Sequence, residues 1–169
     1  MILVLTGYHS MPFNRLVMWM DKYASNGEEA VIIQRGVSKV ETRFAKAFSF
    51  VPEEEMLDLY SEAHVVVSHA GVGTILQARR RNIPLILVPR KKELKEHVDD
   101  HQMEIASVLR GSEGTWVVDT IDALFLALSQ ATTSSGFKAG LSPNRDRLLA
   151  GLAGILKQVE LALSQGGHQ

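Results

Sequence analysis

The chain has 169 residues, which is enough for one domain with a sizeable hydrophobic core and too few for an enzyme built from two such domains. Its 18 Lys and Arg and its 19 Asp and Glu give a formal net charge of -1, which excludes a protein held to nucleic acid by its overall charge. Because the chain has no Cys, disulfides, thiolate zinc sites and a cysteine nucleophile are excluded, and a cytoplasmic location is expected. No apolar stretch is long enough for a membrane span, so we expect any work at a membrane to require another anchor.

Apolar runs and helical patterns alternate along the chain. Short apolar runs predict strands at residues 2–6, 30–34, 47–51, 65–68, 85–88 and 115–118. Apolar residues at helical spacing predict helices at residues 13–23, 52–63, 74–82, 97–109, 121–130 and 143–164. Strands that are apolar throughout and separated by helices predict a doubly wound, Rossmann-like α/β fold, with about six parallel strands and helices on both faces of the sheet.

The chain is predicted to divide into one domain and a C-terminal extension. Residues 1–131 contain all the predicted strands, and residues 132–142 are rich in Thr, Ser and Gly, as is typical of a linker. Residues 143–165 are predicted to form a helix whose apolar stripe packs either on its own domain or on a partner subunit. The stripe consists of Leu148, Leu149, Leu152, Ile155, Leu156, Val159 and Leu163.

Three loops contain the candidate binding and catalytic residues. Right-handed crossovers place every loop that follows a parallel strand at the same edge of the sheet, where such folds bind ligands. We therefore expect residues 6–14, 68–74 and 90–102 to converge at this edge.

The loop over residues 69–74 reads His-Ala-Gly-Val-Gly-Thr and leads from a strand into a helix. Its glycines allow a tight turn and bring backbone amides close to an anion, to which the helix N-terminus adds partial positive charge. The loop predicts a diphosphate site, or else glycines that merely permit the turn. It does not match the dinucleotide-binding fingerprint, because Leu76 stands where the third glycine belongs.

Histidines occur in the other two loops. His9 follows the first strand, and its side chain suits proton transfer near neutral pH, so it is either a catalytic base or a solvent-facing loop residue. His97 and His101 lie four apart on one face of a predicted helix, which suits a metal pair or side chains that bind a hydroxyl-rich ligand. Since no third ligand of a familiar pattern is near, we predict no metal site.

Basic residues form two groups. Arginines at residues 79–81 end a helix, where cations are favourable. Arg90, Lys91, Lys92 and Lys95 lie in the loop after the fifth strand, at the expected ligand edge. This second group predicts attraction for a nucleotide sugar, an acceptor diphosphate or anionic lipid headgroups, with a solvated loop as the alternative.

Three segments in a fixed order resemble one known family. They read Val-Val-Val-Ser-His-Ala-Gly-Val-Gly-Thr-Ile-Leu from residue 65, Ile-Pro-Leu-Ile-Leu-Val-Pro-Arg from residue 83 and His-Val-Asp-Asp-His-Gln-Met-Glu-Ile-Ala from residue 97. Together they resemble the C-terminal, donor-binding domain of family 28 glycosyltransferases. The resemblance is strongest over residues 65–109 and extends weakly over most of the chain.

This resemblance implies the GT-B architecture, in which one Rossmann-like half binds mainly the acceptor and the other binds the nucleotide sugar. The chain has the length of the second half only, and so resembles the split subfamily, in which a soluble donor subunit pairs with a membrane-attached subunit. Examples are the small catalytic subunit of the dolichol-linked N-acetylglucosaminyltransferase and the PssE-type subunits of bacterial exopolysaccharide glucuronosyltransferases. The partner would supply the membrane anchor and the acceptor site.

The resemblance also implies roles for individual residues. Gln77 would contact the ribose, where many members have a glutamate; an amide can still bind a diol, but the charge-assisted bond is lost. The donor sugar would be contacted by Asp100, His101 and Gln102. The nucleotide diphosphate would be bound by Gly7, His69, Ala70, Gly71, Val72, Gly73 and Thr74.

The implied activity is an inverting transfer of a sugar from a UDP-sugar to a lipid-linked polyprenyl diphosphate acceptor in glycan or exopolysaccharide synthesis. No metal or cofactor is implied, and the base is His9 or a group of the partner. The expected ligands are the UDP-sugar and the lipid-linked acceptor. The expected protein partner is a membrane-anchored, acceptor-binding subunit at the cytoplasmic face of the membrane, and the isolated chain is expected to associate with a second copy of itself. No nucleic acid is expected as a partner. Gln77 favours one alternative, a non-catalytic nucleotide-binding accessory subunit. A stand-alone Rossmann enzyme such as a nucleotide-sugar epimerase is disfavoured, because the chain lacks the cofactor fingerprint.

Overall fold

A computed structural model of the chain describes residues 1–133, in which six parallel strands form one sheet in the order β3-β2-β1-β4-β5-β6. The strands are Ile2–Leu5 (β1), Val31–Gln34 (β2), Lys46–Phe48 (β3), Val65–Ser68 (β4), Leu85–Leu87 (β5) and Thr115–Val117 (β6). The α-helices of this region are Asn14–Ala24 (α1), Glu53–Glu62 (α2), Val72–Arg80 (α3), His101–Leu109 (α4) and Ile121–Thr133 (α5). The predicted doubly wound α/β fold is confirmed.

Several boundaries differ from the prediction. The helix predicted from residue 97 begins at His101, whose amide donates a hydrogen bond to Asp99 Oδ1 at 3.1 Å. The last turn of α5 includes residues 132 and 133, which were assigned to the linker. The rest of that linker and the predicted helix at 143–165 lie outside the described residues. None of the helices within residues 1–133 combines the length and apolar character that a bilayer span requires.

The hydrophobic core lies in two layers, one on each face of the sheet. Ile2 and Val4 of β1 pack in a layer with residues of α1 and α5, whereas Leu3 and Leu5 pack in a layer with residues of α2, α3 and α4. This division follows from the alternation of side chains along a strand. Because both faces are covered, all four residues of β1 and all four of β4 are buried.

The strand order places a topological switch point between β1 and β4. The chain proceeds from β1 to β2 on one side, while β4 pairs with β1 on the other side in parallel register. The loops after β1 and β4 therefore leave the same edge of the sheet side by side. In doubly wound folds a crevice for ligands forms at this point.

Asp21 of α1 fixes the segment that leads into β3. Its carboxylate accepts hydrogen bonds from the backbone amides of Arg43, Phe44 and Ala45 at 2.9 to 3.1 Å. Burial alone would raise the pKa of Asp21, but the three amides and the charge of Arg43 outweigh burial and lower it. The charged form of Asp21 therefore stabilises the folded chain.

We expect Asp21→Ala to lower the free energy of unfolding by about 1 kcal/mol at pH 7, because three amides lose their acceptor. The control is Asp58→Ala, at an exposed position of α2. Since the folded pKa lies below the unfolded value of 3.8, the contribution is complete above that pH and is lost as the pH falls through the folded pKa. Urea denaturation of both variants at pH 7 and in acid measures the difference, and equal stabilities at pH 7 would contradict the assignment.

Candidate functional site

Arg90 joins two of the three converging loops from inside the protein. Its side chain is only 1% exposed. Nη1 donates hydrogen bonds to the carbonyl oxygens of Met11 at 2.8 Å and Glu96 at 2.7 Å, and Nη2 donates to that of Thr6 at 2.8 Å. The predicted convergence of the loops at residues 6–14 and 90–102 is confirmed, but the prediction that Arg90 is a ligand-facing cation is wrong, because the side chain is buried and both of its terminal nitrogens donate to these carbonyls.

An ion pair reinforces the same junction. Arg15 of α1 binds both carboxylate oxygens of Glu96, with Nε to Oε1 at 2.8 Å and Nη2 to Oε2 at 2.7 Å. The side chains are 14% and 7% exposed, so the pair is shielded from solvent. Glu96 also accepts a hydrogen bond from the amide of Lys91 at 3.0 Å, which fixes the start of the loop after β5.

A cleft of about 320 Å³ opens at the switch point between β1 and β4. It brings together six residues that the sequence assigned to a nucleotide site: Gly7, His69, Gly71, Gly73, Thr74 and Gln77. Other lining residues were not anticipated, namely Leu5, Tyr8, Gln34, Glu53, Met56, Leu57 and Tyr60. Most of these lie on α2 or at strand ends, positions that no sequence motif distinguishes.

The first turn of α3 presents backbone amides at this cleft. Gly71 is the N-cap residue and has no side chain to pair with those amides, so the first-turn donors of Val72, Gly73 and Thr74 lack an intrahelical acceptor. The amide of Gly71 itself donates to the His69 carbonyl at 2.8 Å. Gly73 is open, because a Cβ placed there would meet no atom within 4 Å. These amides form the part of the loop that is suited to an anion.

His69 fills the space between the loops after β1 and β4. A Cβ on Gly7 would lie 2.6 Å from the imidazole, and a Cβ on Gly71 would lie 2.1 Å from its Nε2. The φ angle of Gly7 is also positive, at +83°. Both glycines are therefore required by the imidazole beside them. The side chain of the next loop residue, Ala70, is fully buried in the core and contributes no group to the cleft.

The imidazole of His69 is neutral at physiological pH. Burial, followed by the positive charge of Arg90, lowers its pKa to about 4. Nδ1 lies 3.4 Å from the carbonyl oxygen of Leu5 and 3.2 Å from Ser68 Oγ. Since a carbonyl only accepts, Nδ1 carries the hydrogen in this arrangement and Nε2 is left as an acceptor.

The backbone of Gly7 is held by a buried glutamine. The amide of Gly7 donates to Gln34 Oε1 at 3.2 Å, and Gln34 Nε2 donates to the Gly7 carbonyl at 3.3 Å. Gln34 is 1% exposed and also donates to the carbonyl of Ser49. The Gly7 amide expected to contact a diphosphate is therefore already paired, and Gly7 instead gives room to the imidazole. A single polar residue that ends an apolar strand was the available sequence signal for Gln34.

Aromatic residues border the cleft. Tyr8 and Phe50 stack with ring centroids 5.2 Å apart and an interplanar angle of 15°, although Tyr8 is 73% exposed. Tyr60 of α2 is buried, which raises the pKa of its phenol, and its hydroxyl shares a hydrogen bond with the Thr74 side chain. The cleft thus has an aromatic mouth and a polar inner end at α3.

The residues expected at the donor sugar lie outside this cleft, at the start of α4. Gln102 is buried and accepts a hydrogen bond at Oε1 from the Arg90 amide at 3.1 Å. Asp100 accepts from the Lys92 amide at 3.4 Å, and the exposed His101 contacts acidic neighbours. These three residues adjoin the loop after β5, so they face a different part of the sheet edge from Gln77.

His97 and His101 do not share a helical face, because α4 begins only at His101. His97 instead pairs with Asp99, Nδ1 to Oδ1 at 2.9 Å, and packs against His9 with ring centroids 4.4 Å apart. Within residues 1–133 no three His, Asp or Glu side chains are arranged to hold a metal ion. The predicted face is therefore wrong, since His97 lies before the helix and residues 98–100 form bends.

His9 is a hydrogen-bond acceptor in the geometry observed. Its Nδ1 accepts from the amide of Met11 at 3.1 Å, so the neutral ring carries its hydrogen on Nε2. Burial, then the positive charges of His97 and Arg90, lower the pKa of His9, against a smaller opposing effect of Asp99. To accept a proton, His9 must release the Met11 amide from Nδ1.

The parallel sheet, its strand order and the cleft at the switch point define a Rossmann-like α/β domain. The Glycosyltransferase family 28 C-terminal domain matches residues 1–138. The chain belongs to this family, and the resemblance read from its motifs is confirmed.

Two curated relatives illustrate the similarity. A UDP-N-acetylglucosamine--N-acetylmuramyl-(pentapeptide) pyrophosphoryl-undecaprenol N-acetylglucosamine transferase of Granulibacter bethesdensis is 29% identical over 98 residues, which cover 56% of this chain and 24% of the relative. The UDP-N-acetylglucosamine transferase subunit ALG13 of Eremothecium gossypii is 33% identical over 113 residues, which cover 66% of this chain and 51% of the relative. The chain therefore spans about a quarter of the first relative and about half of the second.

A solved structure supports the fold. The crystal structure of the glycotransferase of kitacinnamycin matches with a TM-score of 0.66 and 20% identity, over 97% of this chain and 42% of that chain. At this level of identity the match shows a shared GT-B-type Rossmann-like fold.

The two glycines of the loop are expected to respond oppositely to alanine. Gly71→Ala should lower the free energy of unfolding by about 1–3 kcal/mol, because the new methyl group collides with the His69 ring. Gly73→Ala should raise it by about 0.5–1 kcal/mol, because the site is open and alanine favours the helix. Chemical denaturation of the two variants measures both effects. Equal destabilisation of the two would refute this account of the loop.

The low pKa of His69 predicts a pH dependence of stability. The folded pKa of about 4 lies below the ordinary value of 6.5, so the unfolded chain takes up this proton first as the pH falls. His69 therefore makes the free energy of unfolding decrease from about pH 6.5 to pH 4. In His69→Asn this part of the pH dependence of the free energy of unfolding should be absent. An imidazole resonance of His69 that titrated near 6.5 in a nuclear magnetic resonance experiment would contradict the prediction.

Proposed function

We propose that this chain is the donor-binding subunit of a two-component, inverting glycosyltransferase. It would move a sugar from a UDP-sugar to a lipid-linked polyprenyl diphosphate acceptor in glycan or exopolysaccharide synthesis. The observation that carries the proposal is the uncapped N-terminus of α3, which opens into a cleft at the switch point of a family 28 domain.

The diphosphate of the nucleotide is proposed to bind at the first turn of α3. The amides of Val72, Gly73 and Thr74 and the Thr74 hydroxyl are the donors available there. The neutral imidazole of His69 would flank the phosphates without contributing an imidazolium charge. As the bond to the sugar breaks, negative charge grows on the departing diphosphate, and prepositioned amides together with the helix dipole would stabilise it.

The remainder of the cleft suits a nucleoside. Its volume of about 320 Å³ is that of a small-molecule site. Gln77 would bind the ribose, while Met56, Leu57 and the stacked pair of Tyr8 and Phe50 offer apolar and aromatic surface to a base. This distribution of polar and apolar groups supports a pyrimidine nucleotide held along α2 and α3.

The sugar and the proton acceptor are assigned to the other side of the site. Asp100, His101 and Gln102 would contact the sugar hydroxyls beyond the diphosphate. His9 remains the proposed base within this chain, and it would act once the Met11 amide is released from its Nδ1. A group of the partner subunit is the alternative base.

A partner subunit is proposed because a relative of this chain is itself one subunit of a transferase. One relative is named a transferase subunit, and the family domain is a C-terminal domain. The partner would bind the lipid-linked acceptor and hold this chain at the cytoplasmic face of the membrane. No metal is invoked in this scheme, because amides and a helix dipole would stabilise the negative charge of the leaving group.

Gly73→Ala is expected to separate nucleotide binding from folding. Its methyl group would project into the cleft and displace the diphosphate, so the affinity for UDP should fall about tenfold or more while the fold is retained. Isothermal titration calorimetry measures the affinity, and thermal unfolding supplies the control. Native affinity in this variant, or UDP located elsewhere in a crystal, would remove the diphosphate assignment.

The alternative of an accessory subunit is favoured by Gln77, which stands where many family members have a glutamate. An activity measurement tests this alternative. In this scheme, washed membranes of the source organism would supply both the partner and the lipid acceptor. Release of UDP from a UDP-sugar by the chain together with these membranes supports a catalytic subunit. Binding of UDP without any release, with or without membranes, would support the accessory role.

A further inference from the structure

The side-chain oxygen of Gln77 is already occupied. Arg81 lies four residues further along, just after the last turn of α3, and its Nη1 donates to Gln77 Oε1 and to the Gln77 carbonyl oxygen, the latter at 3.3 Å. A guanidinium is only a donor, so its partner in the amide must be the oxygen. The Gln77 amide is therefore oriented with its oxygen toward Arg81.

Arg81 is itself held in place by α2. Its guanidinium carbon lies 5.2 Å from the centre of the Tyr60 ring, within the range of a cation–π contact. Tyr60 is 4% exposed, and its hydroxyl shares a hydrogen bond with Thr74 in the first turn of α3. The contacts of Arg81 therefore extend through Tyr60 to the turn proposed for the diphosphate.

The contact with Arg81 decides which group Gln77 presents to a ligand. Gln77 lines the cleft, and across residues 1–133 its Nε2 has no hydrogen-bond partner. With Oε1 bound to Arg81, the free part of the side chain is a neutral N–H donor. A carboxylate at this position would instead accept hydrogen bonds from a diol.

We propose that Arg81 is a positioning residue, which holds the Gln77 amide so that its N–H group binds a ribose hydroxyl oxygen of the nucleotide. The inference rests on the proposed function, in which a uridine nucleotide occupies the cleft. It makes the contact between Arg81 and Gln77 the determinant of ribose recognition in this chain. Arg81 acts through Gln77 and does not contact the nucleotide.

The chain offers a matched control for charge. Arg80 is the preceding residue, is exposed, and has a side chain with no hydrogen bond or ion pair within the described part of the chain. Arg80→Ala and Arg81→Ala remove the same charge from the same helix end. Only the second variant releases the Gln77 amide. Arg81→Lys keeps both a charge and a donor, and so tests whether a single donor to Oε1 is sufficient.

The experiment compares two ligands by calorimetry with the full-length chain: UDP and 2′,3′-dideoxyuridine diphosphate, which lacks both ribose hydroxyls. The native chain should prefer UDP about five- to tenfold, the value of one hydrogen bond. Gln77→Ala and Arg81→Ala should bring this ratio close to one, Arg80→Ala should leave it unchanged, and Arg81→Lys should restore part of it. The ratio of the two affinities is the informative readout, because a general loosening of the cleft lowers the affinity for both ligands equally.

The possible failures are distinguishable. If Arg81→Ala weakens both ligands but keeps the native ratio, Arg81 is merely structural and the inference is overturned. If UDP binds but the native chain shows no preference, ribose recognition by Gln77 is overturned while the proposed nucleotide site stands. If the native chain binds neither ligand, the proposed function is overturned together with the inference.

Discussion

The buried charge of Arg90 is the constraint on which the candidate site depends. A cation removed from water must recover its hydrogen bonds inside the protein, and a planar guanidinium can do so with several carbonyls at once. Arg90 finds the carbonyls of Thr6, Met11 and Glu96, which belong to the loops after β1 and β5. Its own amide also holds Gln102. The loops on both sides of the switch point are therefore fixed by one side chain.

This buried cation also shapes the electrostatics of the cleft. Together with burial, it keeps His69 neutral, and it contributes to the lowered pKa of His9. An anion at the first turn of α3 would thus be stabilised by backbone amides and the helix dipole rather than by an imidazolium. Such dipoles are fixed by the fold and need no reorganisation as charge develops on a leaving group, which is the property that catalysis of group transfer exploits.

The sequence anticipated the parts of the site that local chemistry controls. Apolar strands, helix-start signals and the loop at residues 69–74 led to the correct sheet, the convergence of three loops and the right family. Expectations failed where long-range packing decides. Arg90 follows a strand in a polar loop and was expected to be a surface cation, but it is buried. His97 was expected on a helical face, but α4 starts four residues later. Gly71 and Gly73 looked equivalent, but only Gly71 lies against an imidazole.

Alone, the sequence determined the alternation of strands and helices, the parallel sheet and the edge at which the loops after the strands converge, because side-chain periodicity and turn residues act over a few neighbouring positions. Only the tertiary structure decided which polar groups in those loops are free. The amide of Gly7 pairs with Gln34, and the oxygen of Gln77 pairs with Arg81 on the adjacent turn. The first pair joins residues 27 positions apart, so its distance is set by the packing of the sheet. The second pair has the i,i+4 spacing of helix neighbours, which permits the contact, and the packing of Arg81 against Tyr60 selects it.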